Sequence, residues 1–173
     1  MNEEPVIGDS AEEVFAQIGL TLLLVQDFEH VFERALKLVF AESHELTTEI
    51  VFKKDKRSLG LLMSDLRSRT SITEDIDGWM MDLLEDRNLF AHRLRELDGF
   101  DCHTTKGRDV IWEFLGKFYP KLERGILLFT AIHFKHADAI GFDSVLFRYT
   151  KHTDFHAEIA KYYPQVGSIT KKC

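Results

Sequence analysis

The chain has 173 residues, 45% of them apolar and 29% charged, which is ordinary for a globular protein and enough to bury a core without disulfide staples. A net charge of -7 argues against non-specific coating of nucleic acid, and a mean hydropathy of -0.17 without any long uncharged apolar run excludes a membrane span. The two cysteines, Cys102 and the final Cys173, suit a reducing cytoplasm better than a structural disulfide. The acidic Met1 to Pro5 stretch is the reverse of a targeting segment, and Lys171-Lys172-Cys173 lacks the residues a prenylation signal carries after its cysteine.

The elements read as helices throughout. Ser10-Ala11-Glu12-Glu13 is a capping box, with Asp9 beside it, and opens a helix to about Ser43. Val14, Ile18, Leu22, Val25, Phe32, Leu36, Val39 and Phe40 form its main apolar stripe, which also contains Glu29 and Glu33. Leu20, Leu23, Leu24, Val31 and Leu38 populate its other side, so the helix is expected to be central or shared with a partner subunit. Residues 44–57 read as a short helix or turn that ends in a basic island, and Ser58 begins a helix that ends at Thr70-Ser71. Thr73-Glu74-Asp75 starts the next helix, which stops at Asp98-Gly99. Gly107-Arg108-Asp109 leads into a helix over 110–118, and Pro120 predicts a kink or break at Tyr119. Further helices are expected over about 121–139 and 144–160, with no convincing strand. The expectation is one all-α domain over 1–173, an up-and-down bundle of five to six helices.

Charge is unevenly distributed. Residues 1–50 hold eleven acids against two bases, whereas residues 51–69 hold six bases against two acids. That basic island is a solvated face or, beside the following helix, a local attraction for a polyanion.

The helix over residues 74–97 contains an anomaly. Ile76, Trp79, Met80, Leu83, Leu84, Phe90, Ala91, Leu94 and Leu97 share one broad arc, and Arg87 falls in its centre. Asn88 and His92, one turn apart, lie just off that arc. A charge among apolar side chains is expensive unless it is paired or faces an anion. Two explanations stay open. Arg87 is a core arginine neutralised by an inward acid such as Glu29 or Glu33, or it faces something anionic. On a straight helix Arg87 and His92 point about 140° apart, so one protomer's pair is expected to converge poorly. Two helices crossing at a symmetry axis would close the gap.

Other constellations carry less. His133 and His136, His152 and His156, and Asp27 and His30 have one-face spacing for a metal, yet no paired Glu-x-x-His set of the di-iron bundle type exists, so no metal is expected. The aromatics Trp112, Phe114, Phe118, Tyr119, Phe129, Phe134, Phe142, Phe147, Tyr149 and Phe155 are read as core packing. No Walker-type loop, dinucleotide fingerprint, serine nucleophile elbow or zinc cysteine set is present.

Arg87, Asn88 and His92 on a helix of an all-α domain, with Ser58-Leu59-Gly60-Leu61-Leu62 upstream, resemble the HEPN superfamily over roughly residues 15–135. Leu94 stands where the toxin branch paired with a nucleotidyltransferase antitoxin carries a tyrosine. The resemblance implies a metal-independent endoribonuclease that cleaves single-stranded RNA at a homodimer interface, with Arg87 and His92 catalytic, Asn88 assisting, and no cofactor. It further implies a toxin or defence setting in the cytoplasm, restrained by an antitoxin or regulatory protein. The alternative is a non-catalytic HEPN-like interaction or dimerisation module.

Overall fold

The computed structural model describes residues 10–40, 58–139, 153–167 and 169–171. Helix α1 spans Ala11–Phe40 and opens on the expected capping box: the Glu13 N–H donates to Ser10 Oγ at 3.1 Å, and the Ser10 N–H donates to Glu13 Oε2 at 3.3 Å. Helix α2, Leu59–Arg69, begins where Ser58 Oγ accepts the Leu61 N–H. Helix α3 follows over Glu74–Arg93 and tightens into a 3-10 turn at Leu94–Glu96. The turn beyond it uses Gly99 at φ 80°, a left-handed conformation that glycine adopts without a Cβ penalty. The expected helix over residues 44–57 and the end of the expected first helix at Ser43 lie outside the described residues, as does most of the expected start at 144 of the last one.

Two expectations are corrected in the second half. The segments expected over 110–118 and 121–139 are one helix, α4, Thr105–Ala139, with Pro120 inside it. Its start comes earlier because Thr104 caps it, accepting the Gly107 N–H on Oγ1 at 3.2 Å. Pro120 does not end it because the proline and Gly116, whose carbonyl the proline ring crowds, both face solvent. Water can solvate that carbonyl, while Leu115, Phe118 and Leu122 stay buried and keep the helix on the core.

The chain then forms α5, Thr153–Ala160, and the short α6, Tyr163–Val166. A three-residue ladder not foreseen from the sequence ties Thr70–Ile72 (β1) antiparallel to Ile169–Lys171 (β2). The class is nonetheless all-α.

Helix α1 lies along α4, and α3 joins them. At their meeting point Gly125 of α4 is packed so tightly that a Cβ there would lie 2.8 Å from the Phe28 ring and 3.3 Å from Leu83. Phe28, Phe32 and Phe129 cluster there, with the Phe32 and Phe129 rings edge to face at 4.6 Å. Phe118 and Phe134 are buried as expected, while Phe142, Phe147 and Tyr149 lie outside the described residues. Phe15, Leu20, Leu22 and Leu23 of α1 are exposed, so Leu22 does not belong to the buried stripe in which the apolar spacing places it. No helix among the described residues is long and apolar enough to cross a membrane.

Candidate active site

Helix α3 buries Ile76, Met80, Leu83 and Phe90, and Arg87 occupies the same stripe between the last two. Its side chain keeps 18% of its surface exposed, so the guanidinium sits at the edge of the core rather than inside it. The stripe delivers Arg87 to α1. There the Nε donates to Glu29 Oε1 at 2.7 Å, and Nη2 forms an ion pair with the same oxygen. Of the two acids considered as its partner, Glu29 is the one. Glu33 is buried and pairs with Lys37 at 2.5 Å.

The third nitrogen turns away from Glu29. Arg87 Nη1 donates to Asn88 Oδ1 at 3.1 Å and lies 3.2 Å from His92 Nε2. The expectation that one protomer's arginine and histidine converge poorly is therefore corrected. Angular separation at the backbone sets where side chains leave the helix, not where a long one ends. The Arg87 side chain is long enough to return along the helix surface over the five residues to His92, and Glu29 fixes its other edge.

A guanidinium has donors only. The contact with His92 is a hydrogen bond when Nε2 carries its lone pair, which places the imidazole proton on Nδ1. In that tautomer the arrangement presents a proton-accepting nitrogen next to a fixed cation on an exposed stretch of α3, where His92 is open to solvent. An anion that takes over Nη1 would leave Nε2 available for proton transfer. Asn88 holds the plane of the guanidinium and offers an amide group to the same anion.

Two cross-links missed from the sequence steady α3 behind the site. Lys121 of α4 donates to Asp86 Oδ2 at 2.5 Å, and the Arg124 guanidinium stacks over the Trp79 ring at 4.7 Å. No local pattern announces either, because each joins residues far apart in the chain.

Of the histidines considered as metal ligands, His152 lies outside the described residues. His133 is buried, and desolvation followed by the nearby Arg34 charge pushes it down to about 4. No group of three or more His, Cys, Asp or Glu side chains gathers into a metal site among the described residues.

No protein-family model matches the chain, and no curated protein and no solved structure matches it either.

Proposed function

We propose that this protein is a metal-independent endoribonuclease of the HEPN type, acting on single-stranded RNA through Arg87 and His92 with Asn88 assisting. The observation that carries this is the single cluster in which Arg87 Nη1 reaches both Asn88 Oδ1 and His92 Nε2 at the protein surface. RNA supplies its own nucleophile, so the reaction needs a base, an acid and stabilisation of the phosphoryl charge, and no metal-bound water.

In this mechanism the scissile phosphate displaces His92 from Arg87 Nη1 and accepts a charge-assisted hydrogen bond there, while Glu29 keeps Nε and Nη2. His92 Nε2 removes the proton from the 2′-hydroxyl as its oxygen bonds to phosphorus. The bond to the 5′-oxygen breaks, and a second imidazole protonates that leaving group. The products are a 2′,3′-cyclic phosphate and a 5′-hydroxyl. The second imidazole is His92 of another copy, which makes the enzyme a homodimer with two-fold symmetry. Leu23 on α1 and Met81 on α3, both exposed and on the two helices that build the site, supply apolar surface for that contact. Exposed catalytic groups in a nuclease of the cytoplasm call for restraint, which suits a toxin or defence role with an inhibitory partner.

The competing function is a non-catalytic interaction module, favoured by the Glu29 carboxylate already gripping the Arg87 guanidinium from α1. Incubation of labelled RNA with excess chelator separates the two. The wild type is expected to yield 2′,3′-cyclic phosphate ends, and His92→Ala and Arg87→Ala to lose about 10²-fold or more in rate. Folded wild-type protein that leaves the RNA intact would favour the module.

A further inference from the structure

A cavity of about 490 Å³ opens at the end of α3, lined by Phe15 and Ile18 of α1, Leu94 and Arg95 of the 3-10 turn, Phe100 and His103. Its volume falls within the range of about 300–1,000 Å³ usual for small-molecule sites. Its walls include residues of α1 and of the turn that ends α3, the two helices that carry Glu29 and Arg87. Ile18 precedes Glu29 by eleven residues of α1, about three helical turns that keep the pair on one face, and Leu94 follows Arg87 by seven residues, in the 3-10 turn that ends α3. Leu22, 43% exposed, continues that face of α1 between Ile18 and Glu29. Arg87 and the cavity wall at Leu94 are therefore about 10 Å apart along the chain axis of α3, a separation that neighbouring nucleotides of a single strand span.

The chemistry of the walls is that of a platform for a flat ring. Phe15 is 56% exposed and Phe100 is half-buried, while Ile18 and Leu94 supply apolar sides. Arg95 and His103 bring cationic and hydrogen-bonding edges to the rim. Asp101, the one carboxylate among the described lining residues, is engaged in the turn before α4. Its Oδ1 accepts the His103 N–H at 2.8 Å, and that bond, with Thr104 adding to it, holds the carboxyl below its ordinary range.

We infer that this cavity is a nucleobase subsite, which stacks one base of a single-stranded RNA on Phe15 and Phe100 while an adjacent phosphate occupies Arg87. The inference rests on the ribonuclease function proposed above and deepens it: the enzyme selects unpaired RNA because a base must leave its helix to enter the cavity. A purine, with the larger stacking face, is the favoured occupant.

The test uses a short oligonucleotide that is 2′-O-methylated throughout, and so cannot be cleaved, and that carries one 2-aminopurine as a fluorescent reporter of stacking. Wild-type protein is expected to bind it and quench the fluorescence. Phe15→Ala and Phe100→Leu should each diminish the quenching and weaken binding about tenfold, while Leu61→Ala, exposed on α2, should leave both unchanged. Binding without quenching, or equal quenching by Phe15→Ala, would overturn the subsite even if unmodified RNA is cleaved. Absence of any binding would also overturn it. Quenching lost in both phenylalanine variants, from a wild type that cuts no RNA, would keep the base site and remove the nuclease.

Discussion

Arg87 and Glu29 join α3 to α1 through one carboxylate oxygen, and that attachment aims the remaining guanidinium nitrogen at His92. Neither partner is sealed off, since their side chains are 18% and 32% exposed. The pair neutralises the arginine, the first of the two explanations that the sequence leaves open, and still leaves Nη1 turned toward Asn88 and His92. Its structural share is modest because solvent screens it.

Replacement of Glu29 by glutamine should therefore lower the unfolding free energy by about 1 kcal/mol in denaturant titration. A double-mutant cycle of Glu29→Ala and Arg87→Ala should show coupling of similar size. His92→Ala, at an exposed position, should stay within about 0.5 kcal/mol of the wild type. Coupling near zero would mean that the ion pair does not position the guanidinium.

The helical class and the placement of Arg87, Asn88 and His92 on one helix were legible because apolar spacing and capping residues are local signals. Ser10 and Glu13 bond as their spacing demands. Glu29 was legible as one of two candidate partners, because an acid inside an apolar stripe needs a cation. What stayed illegible depends on distant parts of the chain. Pro120 is tolerated because its face is solvated, Leu22 is exposed although its spacing puts it in the apolar stripe, and the reach of Arg87 to His92 depends on a side chain's far end. The cavity at Phe15 and Phe100 arises from two segments about 85 residues apart that no periodicity connects.

Two glycines should resist enlargement. Alanine at Gly125 would press its methyl carbon against Phe28 at 2.8 Å, at a cost of about 1–3 kcal/mol. Alanine at Gly107 would meet the Asp101 carbonyl oxygen at 2.1 Å and force the loop away from the start of α4, at a cost of about 3 kcal/mol or more. For a chain of this size each lost kcal/mol lowers Tm by about 2–4 °C. Alanine at Gly116, with open space around it, should cause no such loss. Equal melting temperatures for all three variants would contradict the packing.

His133 should give the protein an acid-sensitive stability. Its imidazole titrates near 6.5 in the unfolded chain and near 4 in the folded one, chiefly because burial disfavours the cation. The folded state therefore binds fewer protons between those values, so the stability that the neutral ring provides is complete above pH 6.5 and falls as the pH drops toward 4. About 3 kcal/mol is lost across that window, with no further change below it. His133→Phe should flatten this part of the pH profile relative to the wild type. An unchanged slope would show that His133 is not the group responsible.

Arg87 and His92 are proposed to cut RNA by way of its own 2′-hydroxyl, and a DNA oligonucleotide with a single internal ribonucleotide tests this most directly. In excess chelator the wild type should cleave only after that ribose and leave a 2′,3′-cyclic phosphate, with folded His92→Ala inert toward the same strand. Cleavage of the all-deoxy strand, or equal cleavage by wild type and His92→Ala, would contradict it.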